Sequence, residues 1–420
     1  MWHLLWSKPS RRSFTPLFLV QFLGAFNDNL FKNALVVWIT FKLGQSQSES
    51  GLLVTLAAGL FILPFVVFSP FAGRLADASD KLWLLRKIKL AEIGIMGIGA
   101  MALVSESVEV MLLALFLMGI QSAFFGPIKY SVLPQLLQGE KLVQGNGLFS
   151  GSTFIAILLG TILGGLGIML DAGEIIMALS VLVVAVLGYL ASLAMQAELP
   201  AAHLEKQSVW GLLQQARQIP IAFKSVLAIS WFWFFGAVIL SQIPPMVKFQ
   251  LNGDENIVVL FLTLFSVGIA MGSALIARMM KSGLHLRWHQ AFLLGMALSL
   301  AISVMLIDAY QPNMNQLLTL AQLSSLFPLN LLLISFTLMA VFGGAYIVPL
   351  YTLVQTHTPD NQRARMIAVN NIINSLLMVL SAILIMLGYA LGLELTAMLY
   401  LLALMTLPVA LQLQKHLATV

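Results

Sequence analysis

Long blocks of apolar residues, separated by short polar breaks, follow one another along nearly the whole chain. A helix needs about 20 such residues to cross the roughly 30 Å hydrocarbon core of a bilayer. A strand of a membrane barrel would instead alternate apolar and polar residues. The pattern therefore predicts an all-α polytopic membrane protein with twelve spans. The predicted spans are residues 15–41, 52–74, 84–104, 109–133, 145–169, 174–195, 223–247, 256–279, 290–310, 327–353, 364–388 and 393–413.

The longest polar interruption, residues 196–222, falls halfway along the chain. It divides the spans into two sets of six, so we expect a first bundle over 1–195, a cytoplasmic linker over 196–222 and a second bundle over 223–420. Apolar residues recur at helical spacing inside the linker, which predicts a short helix on the membrane surface. A plain tether between the bundles explains the linker equally well. The apolar positions are Val209, Trp210, Leu212, Leu213, Ala216 and Ile219.

Composition excludes a soluble enzyme. Sixty per cent of the residues are hydrophobic and 9% are charged, whereas roughly 25% are charged in an average soluble domain. The chain therefore lacks the residues to build a polar surface. It has no cysteine, which rules out disulfides and thiolate metal sites, and we expect neither a metal nor a cofactor.

The net charge of +5 is distributed by topology. If the N-terminus is cytoplasmic, 18 of the 22 lysines and arginines fall on the cytoplasmic side of the predicted spans. This is the asymmetry of the positive-inside rule, and it predicts that both termini are cytoplasmic. It also argues against a nucleic-acid partner, because the basic residues form no single patch.

The charged residues Asp28, Lys32 and Lys129 lie inside predicted spans. Each costs about 2.5–3.5 kcal/mol at the centre of a span, so an intramembrane charge is by default a functional candidate. Gln21, Asp28 and Lys32 share a helical face, which we expect to line a cavity. Two structural alternatives stay open, an Asp28–Lys32 pair that neutralises itself and a Lys129 side chain that extends to the membrane surface.

Two further features have structural interpretations. Glu92 lies within one turn of Lys89, and we expect the two to pair at the membrane edge. Glycines at Gly160 and Gly164, and from Gly94 to Gly99, are expected to let helices pack closely, as small residues do in membranes.

The loop between the second and third spans carries Gly73, Arg74 and Asp77, followed by Lys81 and Arg86. It resembles the signature loop of the major facilitator superfamily, in which a glycine, an aspartate and basic residues form a cytoplasmic gate. The resemblance implies gating roles for Gly73, Asp77, Lys81 and Arg86. The two halves also resemble each other weakly, as expected for a transporter built from repeats.

A narrower resemblance, to the bacterial lysophospholipid transporter family, covers most of the chain. It lies in Gln21 through Asn29, Gly126 through Tyr130, Lys141 through Gly147, Phe342 through Leu350 and Ala368 through Asn371. The stretch Trp231 through Gly236 is similar to the variant fused to an acyltransferase and an acyl-carrier synthetase.

This resemblance implies a non-enzymatic transporter of the bacterial inner membrane that moves lysophospholipids, chiefly lysophosphatidylethanolamine, to the inner leaflet for re-acylation. It implies alternating access with a lateral opening. The family's arginine in the seventh span corresponds to Gln242 here. No histidine in the chain fits the His-x-x-x-x-Asp acyltransferase signature, so any acyltransferase partner is expected to be a separate polypeptide. We expect a monomer.

The resulting hypothesis is a clamp for a zwitterionic head group. Lys129 and Lys32 would hold the phosphate, Asp28 the ethanolamine nitrogen, and Gln242 would add a neutral contact. Gln21 and Asn29 complete the predicted substrate site. The main alternative is a proton-driven major facilitator of a soluble solute or drug, with Asp28 as the proton site. A membrane scaffold or receptor without transport is disfavoured by the charges inside the spans.

Overall fold

Twelve long helices lie in the part of the chain that the structure describes. The computed structural model describes residues 14–43, 46–136, 140–196, 209–279, 288–312, 316–323, 327–359 and 363–417. Within these ranges each long helix coincides with one predicted span, in the same order. The helices are α1 (Phe14–Trp38), α2 (Gln47–Ala78), α3 (Lys81–Val104), α4 (Val108–Leu136), α5 (Glu140–Gly167), α6 (Gly173–Leu193), α7 (Val209–Arg217), α8 (Pro220–Pro245), α9 (Glu255–Met279), α10 (His289–Ala309), α11 (Leu320–Leu323), α12 (Phe327–His357), α13 (Arg363–Ala390) and α14 (Leu395–Leu417).

Among the described residues, nine of these helices are long and apolar enough to cross a membrane. The three long helices outside that set are α1, α3 and α5. Their apolar runs are interrupted by amides, hydroxyls and charges, such as the three polar residues from Asn27 to Asn29 in α1. The all-helical fold is confirmed.

The chain forms two compact units. Unit one contains Met1–Ile39 and Leu60–Gln207, and unit two contains Thr40–Gly59 and Ser208–Val420. Helix α2 therefore begins in unit two and ends in unit one. A π-helical turn follows α1 at Ile39–Leu43, and another follows α8 at Met246–Gln250. The first helix of each half thus ends in the same way, which agrees with the weak internal similarity of the sequence.

Unit one is assembled around α1, which packs against α4, α5 and α6. The closest approach is to α5. A Cβ added at Gly160 would lie 2.6 Å from the carbonyl oxygen of Phe26, and one at Gly164 would lie 2.3 Å from that of Leu30. The predicted role of these two glycines is confirmed. It is wrong for Gly94 and Gly97, where an added Cβ would meet no described atom within 4 Å, and it is confirmed for Gly99, where the Cβ would lie 2.9 Å from the Phe31 ring.

Unit two also contains a glycine that lets two helix backbones approach closely. A Cβ at Gly344 in α12 would lie 2.1 Å from the carbonyl oxygen of Ile269 in α9. The short helix predicted in the linker is present as α7, which packs against α8 and α13. Its Arg217 guanidinium lies 6.0 Å from the Trp210 ring centroid, and Trp210 is exposed. The linker residues 197–208 lie outside the described ranges.

We predict that Gly164→Ala destabilises the protein, because the added methyl group meets the α1 backbone, which cannot turn aside as a side chain can. Overpacking of this kind costs about 1–3 kcal/mol. The measurement is the thermal unfolding midpoint in detergent. Gly94→Ala is the matched control and should leave the midpoint unchanged or slightly higher, because alanine favours a helix more than glycine does. Equal midpoints for the two variants would contradict the prediction.

Candidate functional site

Asp28 is held on α1 by a hydrogen bond from α4. Its Oδ2 accepts a hydrogen bond from the Ser122 hydroxyl at 2.7 Å, and its side chain is half-buried. Lys32 follows one turn later, and its ammonium donates to Asn29 Oδ1 at 2.9 Å. In the described part of the chain the Lys32 ammonium therefore contacts Asn29, and the closed Asp28–Lys32 pair is not formed. The two charges still interact through space.

Lys129 approaches the same carboxylate from α4. It lies seven residues after Ser122, two helical turns along the same face, and it interacts electrostatically with Asp28. Unit one therefore places Lys32 and Lys129 within electrostatic range of the Asp28 carboxylate, and these three residues are called the charge cluster below. All three side chains are half-buried, so each is screened from solvent without being closed off.

Gln21 and Asn29 were predicted to contact the substrate, and in the structure both side chains form hydrogen bonds within unit one. Gln21 is buried, and its Nε2 donates to Thr153 Oγ1 at 2.9 Å on α5. Asn29 accepts from Lys32 and donates to the Ala25 carbonyl oxygen at 2.8 Å. The structure thus places Gln21 between α1 and α5, and it places Asn29 where it orients the Lys32 ammonium.

A buried ion pair lies next to this cluster. Lys89 and Glu92 of α3 are each 1% exposed and form a salt bridge. The predicted pairing is confirmed, and both side chains are buried inside unit one. Two glycines provide the space. A Cβ at Gly188 would lie 2.9 Å from Lys89 Cε, and one at Gly24 would lie 3.3 Å from Lys89 Nζ.

Glu92 is connected to α4 and α1 as well as to Lys89. Its Oε2 accepts from Gln121 Nε2 at 2.9 Å, and its Oε1 lies 3.5 Å from Asn27 Nδ2. Gln121 directly precedes Ser122, so the ion pair and Asp28 belong to one polar network. Sequence reasoning missed Gln121 and Ser122. The signal available was Glu92 itself, an ionisable residue well inside the predicted span 84–104.

The predicted gating residues lie at the start of α3 and the end of α2. Arg86 donates to the carbonyl oxygen of Met195 at 3.1 Å, and so satisfies the chain just beyond the C-terminus of α6. Lys81 is buried. The N-terminus of α3 is capped by Asp80, which accepts from the Trp83 amide at 2.7 Å. The surroundings of Gly73 and the side chain of Asp77 lie outside the described part. The gate itself stays a prediction.

Gln242 lies in unit two, and its amide is engaged on both sides. Its Oε1 accepts from the Tyr389 hydroxyl at 2.6 Å, and its Nε2 donates to Thr55 Oγ1 at 2.8 Å. The side chain is 1% exposed. Its role in substrate binding stays a prediction.

The chemistry that the cluster in unit one offers is charge recognition. Among the described residues no three His, Asp or Glu side chains are arranged to hold a metal ion. Two ammonium groups present donors suited to a phosphate, and the carboxylate presents an acceptor suited to a cation. The cluster can therefore bind a small group that carries both charges.

Comparison with known proteins identifies the family. The sequence profile of the Major Facilitator Superfamily matches residues 17–312. The chain is 28% identical over 393 residues to "Lysophospholipid transporter LplT" of Serratia proteamaculans, covering 90% of this chain and 87% of the relative. It is 26% identical over 403 residues to the protein of the same name from Salmonella heidelberg, covering 91% and 88%. The resemblance to this family is confirmed.

Solved structures support the fold. A bacterial homologue of the human lysosomal transporter Spinster superposes with a TM-score of 0.70 at 12% identity, covering 98% of each chain. A D-xylose–proton symporter gives a TM-score of 0.69 at 13% identity, covering 96% of this chain and 98% of the symporter. At these identities the likeness establishes the fold alone.

We predict that Lys89→Met lowers the thermal unfolding midpoint sharply, because it leaves Glu92 charged and buried without its counter-ion. Breaking a buried pair costs about 3–5 kcal/mol. The double variant Lys89→Met/Glu92→Gln removes both charges and should recover most of the loss. Lys87→Met, two residues away on the exposed side of α3, is the control. A double variant no more stable than the single one would contradict the prediction.

Proposed function

Because the chain belongs to the Major Facilitator Superfamily, we propose that it is a membrane transporter that moves lysophospholipids, with lysophosphatidylethanolamine as its principal substrate. The observation that carries this proposal is the likeness to lysophospholipid transporters over about nine-tenths of both chains. The relatives' printed names supply the substrate class. The charge cluster on α1 and α4 supplies the reason for a zwitterionic head group.

Recognition of the head group follows from the charges in unit one. The phosphate of the substrate carries a negative charge, and Lys32 and Lys129 offer it ammonium donors. The ethanolamine nitrogen carries a positive charge, and Asp28 offers it a carboxylate. A bound zwitterion therefore replaces the water that half-buried charges would otherwise need. The acyl chain lies against apolar surface, and the head group crosses the membrane by alternating access with a lateral opening.

The direction of movement completes the proposal. We place the delivered lysophospholipid in the inner leaflet of the bacterial inner membrane, with both termini of the protein in the cytoplasm. A separate acyltransferase would then restore the missing acyl chain. The positive-inside distribution of the basic residues supports this orientation.

A proton-coupled carrier of a soluble solute is the alternative function. It requires a carboxylate that takes up and releases a proton without a permanent partner. Asp28 has two lysines within electrostatic range, Lys32 and Lys129, and this charge pattern suits a zwitterion better. The lysophospholipid proposal is therefore the stronger one.

The test is uptake of labelled lysophosphatidylethanolamine by proteoliposomes that contain equal amounts of each variant. We predict that Asp28→Asn and Lys129→Met each reduce uptake by about tenfold or more, because each removes a charge-assisted contact worth about 1.5–3 kcal/mol. Asp171→Asn and Lys224→Met change exposed residues of the same types and should leave uptake unchanged.

Unchanged uptake in both Asp28→Asn and Lys129→Met would overturn the clamp. Wild-type protein that moves no lysophospholipid, but accumulates a soluble solute under a proton gradient, would replace the proposed function with the alternative. Repeating the assay with and without ion gradients separates coupled from facilitated movement.

A further inference from the structure

The Ser122 hydroxyl lies between two acceptors. Its oxygen is 2.7 Å from Asp28 Oδ2 and 3.2 Å from Gln121 Oε1. A serine hydroxyl carries a single proton, so it can donate to only one of them at a time. The shorter contact, to a carboxylate, is the stronger of the two. Ser122 thus fixes one oxygen of Asp28, and Oδ1 carries no hydrogen bond from the residues that the structure describes.

The orientation of the Gln121 side-chain amide is fixed by its partners. Its Nε2 donates to Glu92 Oε2 at 2.9 Å, and Glu92 is ionised against Lys89. Turning the amide over would set its carbonyl oxygen against the Glu92 carboxylate and leave two acceptors facing each other. The buried ion pair therefore holds the Gln121 carbonyl oxygen towards Ser122. Glu92 thus accepts from both Lys89 and Gln121, and the Gln121 carbonyl oxygen is held where it can accept from Ser122.

We propose that Ser122 is a positioning residue that holds the Asp28 carboxylate, that Gln121, fixed by the buried Lys89–Glu92 ion pair, supplies a second acceptor for the Ser122 proton, and that this relay determines selectivity for lysolipids with an ammonium head group. The proposal rests on the proposed function. The relay holds the carboxylate by Oδ2 and presents Oδ1 to the substrate nitrogen. Preorganising an acceptor in this way favours binding, because less freedom is lost when the ligand arrives.

The Ser122 hydroxyl has a second orientation available, towards Gln121. When a cation withdraws electron density from Asp28, or when Asp28 is protonated, the Ser122 proton can turn to Gln121 Oε1 without leaving the network. The charged groups that act on Asp28 are Glu92 and Lys89 from α3, Lys32 from α1 and Lys129 from α4.

A purely structural role for Ser122 predicts something different. If the hydroxyl only filled space between α1 and α4, its loss would reduce transport of all lysolipids in parallel. The relay acts on the carboxylate that meets the ammonium, so its loss should affect one class of head group. The ratio of uptake for two lysolipids separates these cases, and it does not depend on how much protein is folded.

The experiment compares labelled lysophosphatidylethanolamine with lysophosphatidylglycerol, which lacks the amine, in proteoliposomes. We predict that Ser122→Ala lowers the ethanolamine-to-glycerol ratio of uptake about tenfold, the effect of losing one charge-assisted hydrogen bond. Ser122→Thr retains the hydroxyl and should restore the ratio. Ser180→Ala removes a hydroxyl that donates to its own helix, at Ile176 O, 2.7 Å away, and serves as the control.

A double-mutant cycle tests whether Gln121 belongs to the relay. Gln121→Leu removes the competing acceptor, so alone it should keep or raise the ratio, and in a Ser122→Ala background it should change the ratio no further. Residues that act in one network show such non-additivity. A ratio lowered by Gln121→Leu alone, or changed by it in the Ser122→Ala background, would overturn the relay.

Two other outcomes are decisive. Parallel loss of both lysolipids in Ser122→Ala would overturn the relay and leave the proposed function standing. Wild-type protein that moves neither lysolipid would overturn the proposed function, and the relay with it.

Discussion

A charge inside a hydrophobic bundle must meet a partner, and unit one is organised around this constraint. Lys89 and Glu92 satisfy each other, Gln121 satisfies Glu92, and glycines at Gly24 and Gly188 leave room for the lysine. A buried ion pair seldom stabilises a fold relative to apolar residues of the same size. Such a pair is therefore weak evidence for stability and better evidence for a functional arrangement that needs fixed charges.

Much of the fold could be predicted from the sequence, because the property that drives a helix into a membrane is local. Apolar blocks of span length identify each helix without knowledge of its neighbours. Even α1, α3 and α5, which fall outside the helices apolar enough to span, were found because charge and breakers delimit their blocks. Asp28, Lys32 and Lys129 were found for the same local reason, as charges inside spans.

The rest of the site depends on tertiary contacts that a single helix does not encode. Lys89 stands five residues from the start of its predicted span, where a long side chain can equally well extend to the surface. Only the neighbouring Gly24 and Gly188 decide that it turns inward. Ser122 is one of many serines in apolar helices, most of which bond their own backbone. Its contact with Asp28, 94 positions away, had no signal in the sequence.

Charged residues inside the described helices are distributed unequally between the two units. This distribution bears on where a charged head group can be recognised. In the described long helices that the second half of the chain contributes to unit two, every Asp, Glu, Lys and Arg lies near a helix end. Gln242, the neutral residue of unit two that was predicted to contact the substrate, has its amide already engaged by Tyr389 and Thr55. Any recognition of charge within the described spans therefore has to use the charged residues of unit one. A carboxylate that must act there alone gains most from being held in place, which is what the contact from Ser122 provides.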